Sequence, residues 1–185
     1  IQETPSGEKT DDPIFKEQYV TPLMKKRMCH VSSLIELAEG SIACVWYEGT
    51  REGSKDVRIV MARLLNGVWS APSSLANRRT STKELGRYTK KLGNSIIVRD
   101  RANTLWLFFA SVVYGGWSCT SLNFKQSFDD GLSWTPAKKL YLSPLLNISN
   151  NVKNKAIHLS DGSFMLPVYH ELVNKRSMLL HIQQD

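Results

Sequence analysis

Beyond the first twenty residues the apolar positions fall into short runs and do not recur at helical spacing. The runs are VSSLIEL (31–37), SIACVWY (41–47), VRIVMA (57–62), NSIIV (94–98), TLWLFFA (104–110), SFMLPVY (163–169) and SMLLHI (177–182). They are rich in β-branched and aromatic residues, and Gly, Asn, Asp and Pro separate them, which is the signature of short strands joined by turns. Residues 1–20 are polar and turn-rich and read as a surface arm. Residues 21–185 then form one all-β unit.

The runs repeat. LAEGSIACVWYE, RANTLWLFFA and LSDGSFMLPVYH align on Gly40, Asn103 and Gly162, with 63 residues from the first to the second and 59 from the second to the third. Each is a turn followed by an apolar strand. A second anchor joins ARLLNGVWSAPSSL (62–75) to SFDDGLSWTPAKKL (127–140), since Trp69 to Leu75 and Trp134 to Leu140 have the same spacing. A period of about 60 residues with roughly four short strands fits one four-stranded antiparallel blade of a β-propeller. About three blades fit, too few to close a ring, so the expected fold is part of a larger propeller, for instance half of a six-bladed parent, or a half that pairs with another chain. A twisted two-sheet sandwich is the alternative.

Composition narrows the chemistry. The hydrophobic fraction of 42% belongs to a globular chain, and the longest apolar run is about half of what a membrane-spanning helix needs, so no span is expected. The chain starts at Ile1 with no initiator methionine, which suggests processing from a longer precursor and an extracytoplasmic, secreted or periplasmic, location. Cys29, Cys44 and Cys119 are too few and too irregular for a disulfide framework or a zinc site, and they read as core or free thiols. The net charge of +7 concentrates in Lys25–Arg27 and in Arg78, Arg79, Lys83, Arg87, Lys90 and Lys91, both read as solvated loops. Aromatic residues are nearly absent from these runs, which argues against nucleic acid and leaves an anionic sugar or polysaccharide as a fitting partner.

Within SFDDGLSW, Ser127, Asp129, Gly131 and Trp134 match S-x-D-x-G-x-x-W. The adjacent carboxylates Asp129 and Asp130 invite a reading as an acid/base pair or as calcium ligands, but the loop lacks the further oxygen ligands and the closing Glu that calcium needs. The motif resembles the Asp-box, whose Asp accepts turn amides, whose Gly adopts a conformation closed to side chains and whose Trp packs on the sheet. With HVSSLIEL, WYEGTREGSKDVRI, KLGNSIIV, GGWS, SPLLNIS and LPVYHE, the likeness extends over about residues 29–182 to the BNR-repeat group of the sialidase superfamily. That resemblance implies a glycan-active propeller, an exo-sialidase-like glycoside hydrolase acting on a terminal acidic or polar sugar, with no cofactor and no metal. A non-catalytic carbohydrate-binding module and a polysaccharide lyase on acidic glycans are the alternatives.

The resemblance also implies site residues. Sialidases grip the substrate carboxylate with three arginines, and the place of the first is taken here by His30, which offers one donor where a guanidinium offers a fork. Arg51 and Asp56 have the types and spacing of a substrate-binding arginine and a general acid, the latter if partial burial raises its pKa. Arg51 is equally read as a surface ion pair with Glu48 or Glu52. Tyr169, His170 and Glu171 end an apolar strand at the point equivalent to Tyr47, Glu48 and Gly49, and they are candidate catalytic groups. Asn94, Trp117, Asn147 and Lys153 complete the expected sugar-binding surface, and Asn147 also heads an N-I-S sequon.

Overall fold

The structure is a computed structural model that describes residues 15–22, 27–145, 147–172 and 174–183. It contains three antiparallel sheets, each contributed by one contiguous stretch of chain. The first comprises β1 (Met28–Glu36), β2 (Ile42–Gly49), β3 (Arg58–Leu65), β4 (Val68–Trp69) and β5 (Ser73–Asn77). A short helix, α1 (Arg78–Glu84), precedes the second sheet of β6 (Lys91–Arg99), β7 (Leu105–Val112), β8 (Thr120–Ser127) and β9 (Lys138–Lys139). The third has β10 (Asn150–Val152), β11 (Ile157–His158), β12 (Phe164–His170) and β13 (Arg176–Ile182), with β10 and β11 both pairing to β12 as one interrupted inner strand.

These are the blades that the repeat predicts. Gly40, Asn103 and Gly162, the three aligned turn residues, all have left-handed φ (74°, 63° and 90°), so the alignment marks a conformation that ordinary side chains avoid. The residues 1–14 of the expected arm, and Lys25 and Lys26 of the first basic run, lie outside the described residues. Phe15 to Tyr19 are exposed, and Val20 packs on Cys44, Trp46, Val60 and Ala62 on the outer face of the first sheet. Cys29, Cys44 and Cys119 are free thiols.

The second basic run is not a solvated loop throughout. Asn77 caps α1 by accepting from the Thr80 amide at 3.0 Å, while Thr80 Oγ1 accepts from the Asn77 amide at 3.0 Å. Glu84 at the end of α1 meets the buried Lys125 of β8 at 3.0 Å, and Arg78 donates to the Thr89 carbonyl at 3.0 Å. Local capping chemistry and tertiary ion pairing, not an apolar stripe, make this helix.

The Asp-box is scaffold. Asp129 Oδ1 accepts from Ser127 Oγ and from the Ser133 amide, both at 2.8 Å, and the Gly131 amide donates to Ser127 Oγ at 2.7 Å. Gly131 has φ 84° and lies against Met61 and Arg63 of the first blade. Asp130 ties blades together: its carboxylate accepts from Arg99 and, at 3.1 Å, from the Ala38 amide in the β1–β2 turn, while its carbonyl accepts from Arg63.

Two outcomes follow from these ties. Asp130→Asn keeps a residue suited to left-handed φ but turns an amide NH2 toward Arg99 or the Ala38 N–H; it should lower stability by about 2 kcal/mol, read as a reduced urea midpoint at unchanged slope. An unchanged midpoint would remove Asp130 as an interblade tie. The hydrogen bonds from the Ser133 hydroxyl, the Ser133 amide and Ser127 hold the Asp129 carboxyl down to about 2. A depressed folded pKa means that this carboxylate's contribution is complete above the ordinary carboxylate range near pH 4 and is lost as pH falls toward 2. Carboxyl-detected NMR titration should give a midpoint near 2, and one near 4 would contradict the assignment.

Candidate active site

The inner strands β1 and β6 each carry an irregularity close to the same rim. Register shifts between His30 and Ser33 in β1 and between Gly93 and Ile96 in β6, and Val31 and Asn94 have left-handed φ of 51° and 47°. Such bulges re-aim side chains. Asn is at ease in this conformation and Val is not, so Val31 is a strained position beside His30.

Two side-chain pairs drawn from three blades gather there. His30 Nδ1 lies 3.3 Å from the Tyr47 hydroxyl, with the two rings edge-to-face at 5.7 Å between centroids. Asn94 Nδ2 donates to the Tyr169 hydroxyl at 3.2 Å across the second and third blades. Tyr47 and Tyr169 are close enough to couple: burial first, then Glu52 and Tyr169, push the Tyr47 phenol up to about 12. Burial and the Glu171 carboxylate likewise raise Tyr169, opposed by the Asn94 hydrogen bond. Both phenols are therefore protonated donors and acceptors at neutral pH, each with a carboxylate nearby.

The other expected site residues divide. Glu171 is held by its backbone amide, which donates to Ser149 Oγ at 2.9 Å, and His170 Nδ1 lies 3.3 Å from the Ser149 carbonyl. Lys153, Tyr169 and Glu171 line one recess of about 620 Å³ with Pro167 and Leu179. Arg51 is exposed, and Glu48 is not its partner: Glu48 is wholly buried and accepts from Arg58 Nε and Nη2 at 3.0 and 2.8 Å and from the Trp46 indole at 3.1 Å. Trp117 forms a short turn at this rim, and its ring packs over the Gly93 backbone.

Two expectations are corrected. Asp56 is exposed, and its carboxylate accepts from Thr50 Oγ1 at 2.7 Å and from the Thr50 amide at 2.9 Å. The Thr50 hydroxyl is the main cause holding its pKa below the ordinary value, so partial burial does not raise it as a proton donor requires. Asn147 is 8% exposed and its amide is spent on its own loop, with Oδ1 accepting from the Leu142 and Ser143 amides and Nδ2 donating to the Ser143 carbonyl. It presents neither a sugar contact nor an open glycosylation acceptor.

Sequence reasoning missed Tyr47 and Glu52. Tyr47 ends an apolar run and reads as core, and at 2% exposed it is core as well as site. Its equivalence in the repeat to Tyr169 was the available signal. A larger recess, about 760 Å³, lies at the opposite rim among the Asp-box and the Glu36–Ala38, Arg99–Asn103 and His158–Gly162 turns, so size alone does not locate the cluster. Among the described residues no group of three or more His, Cys, Asp or Glu is arranged to hold a metal, and no helix is long and apolar enough to cross a membrane.

A family model described as a BNR repeat-like domain matches residues 40–185. No curated protein matches the chain. Among solved structures, the Hadza microbial sialidase Hz136 superposes with a TM-score of 0.69 at 14% identity, over 84% of this chain and 35% of its own. A protein of unknown function from Dyadobacter fermentans gives 0.68 at 12%, over 86% and 52%. An endo-arabinase from Bacteroides thetaiotaomicron gives 0.61 at 15%, over 91% and 60%. The chain thus spans about a third to three fifths of the length of these structures. At such identities the likeness is one of fold.

Gly93→Ala tests the seating of Trp117. The new methyl would lie 2.7 Å from Trp117 Cη2, so the indole must move, with an expected loss of about 1–3 kcal/mol and an altered near-ultraviolet circular dichroism. Gly116→Ala, whose methyl meets nothing within 4 Å, should leave the spectrum unchanged. Equal spectra for the parent and Gly93→Ala would contradict the packing.

Proposed function

The chain belongs to the BNR repeat-like domain family, and from that premise we propose that it is part of a sialidase-like glycoside hydrolase that acts on a terminal acidic or polar sugar of a glycan. One observation carries this reading: His30, Tyr47, Asn94 and Tyr169 converge from three blades at one rim. Loop and strand ends on a rigid scaffold are where reacting groups are held in fixed geometry. Further blades, from a longer parent or from another chain, would complete the ring and the site, and an extracytoplasmic location belongs to the same reading.

In hydrolysis the glycosidic C–O bond breaks, its oxygen gains a proton and the anomeric carbon gains the hydroxyl of water. An imidazole nitrogen can give or take a proton, and His30 Nδ1 lies 3.3 Å from the Tyr47 hydroxyl, so His30 replaces Asp56 as the preferred proton carrier. The protonated phenols and the Asn94 amide read sugar hydroxyls, and Glu171 stands by Tyr169. The lyase alternative draws on the same 3.3 Å His30–Tyr47 contact, since elimination needs a base to remove a ring proton and an acid to protonate the departing oxygen while a C=C bond forms.

The test uses the full-length protein on aryl and natural glycosides of sialic acid, uronic acids and neutral pentoses. His30→Gln and Tyr169→Phe should each lower kcat/KM at least about tenfold, whereas Asp56→Asn should fall by less. A product with new ultraviolet absorption would establish the lyase reading. Saturable glycan binding without turnover would reduce the protein to a binding module, and neither binding nor turnover would sink the proposal.

A further inference from the structure

The outer part of the second blade carries positive charge that no described acid neutralises. Arg87, just beyond α1, turns onto the sheet: Nη1 donates to Ser121 Oγ at 3.2 Å, and Nη2 donates to Ser111 Oγ at 3.2 Å and to Asn123 Oδ1 at 3.3 Å. All three acceptors are uncharged. Nε is buried and has no hydrogen-bond partner among the described residues. Lys139 pairs with Asn123 across β8 and β9, and its Nζ lies 5.1 Å from the centre of the Tyr141 ring. Burial, and then the charge of Arg87, hold the Lys139 ammonium below its ordinary pKa, so the two cations feel each other.

Among the described residues the ion pairs are Arg27 and Arg58 with Glu48, Arg99 with Asp130, and Lys125 with Glu84; none involves Arg87 or Lys139. Glu84, the α1 acid that reaches this face, is spent on Lys125 and on the Ala137 amide, at 3.1 and 2.8 Å. Bringing a guanidinium out of water beside an ammonium, without an anion, is costly on both counts. Proteins normally offset such a site with a counter-charge, and among the described residues no acid supplies it. A planar guanidinium, an ammonium and a phenol hydroxyl, with serine hydroxyls behind them, are the donors that surround an oxyanion.

We propose that Arg87, Lys139 and Tyr141 form an oxyanion-binding site on the outer strands of the second blade, distinct from the His30–Tyr169 cluster, that takes a sulfate or carboxylate group. The site does not depend on the function proposed for that cluster. It fits a chain of net charge +7, and the group it takes is either the free ion or one carried by an acidic glycan.

The experiment is calorimetric titration of the full chain with sodium sulfate, at ionic strength held constant with chloride, and then with sulfated and unsulfated forms of one oligosaccharide. The parent should bind sulfate saturably. Arg87→Gln and Lys139→Gln should each weaken binding about tenfold, the loss expected for one charged hydrogen bond, while Arg79→Gln on the exposed side of α1 should not. Tighter binding of the sulfated oligosaccharide than of free sulfate identifies a glycan-borne group; equal binding identifies the free ion, and both support the site. No saturable sulfate binding by the parent overturns it. So does a folded Lys139→Gln protein that binds like the parent, whether or not Arg87→Gln folds.

Discussion

The middle sheet of this protein cannot stand alone, because it is apolar on both faces. Phe108 and Phe109 are neighbours in β7, their side chains point to opposite faces, and both are wholly buried. Phe109 joins Val45, Tyr47, Ile59 and Leu107 between the first and second blades, whereas Phe108 joins Leu122, Phe164, Leu166 and Val168 between the second and third. The hydrophobic free energy of each face is released only when the next blade covers it. Stacking of blades is therefore the condition for folding, and it also brings the inner-strand ends of three separate chain segments to one rim.

The outermost faces meet this demand differently. On the first blade Val20 and Trp69 cover Cys44, Trp46, Val60 and Ala62, and the buried Glu48 takes its charge partners from Arg58 and Arg27. On the third blade Leu179 and Ile157 remain 65% exposed. The two rims differ as well. At one, Asp130 and the turns it binds are occupied in holding blades together. At the other, the bulges at Val31 and Asn94 break the inner ladders and leave side chains free to gather.

Most of the fold was legible because turns and strands repeat with a mechanism: left-handed residues at Gly40, Asn103 and Gly162, then an apolar strand. Strand β8 and helix α1 were not legible, for one shared reason. Ser121, Asn123 and Lys125 make β8 look polar, yet all three are buried, and they are satisfied by Asn147, Ser111, Arg87 and the Glu84 of α1. A buried polar layer is invisible to hydrophobic periodicity, since it is written in partners that are distant in sequence. The same blindness misplaced Asn147, whose amide closes its own loop, and Asp56, whose carboxylate Thr50 already satisfies. Tyr47 was hidden the other way, its phenol lying at the end of a run that reads as core.

The electrostatics of the cluster limit what these blades can recognise. A protonated phenol donates one hydrogen bond and accepts others, which is also what a sugar hydroxyl does, so Tyr47 and Tyr169 complement hydroxyls without a net charge. The carboxylates that act on them are Glu52 and Glu171, which disfavour a second anion close by. The guanidinium of Arg58, which a carboxylate would seek, is committed to Glu48. An acidic sugar seated over the phenols would thus have to find its cations outside this ring of four side chains, on the loop of Arg51, at Lys153, or in blades beyond these three.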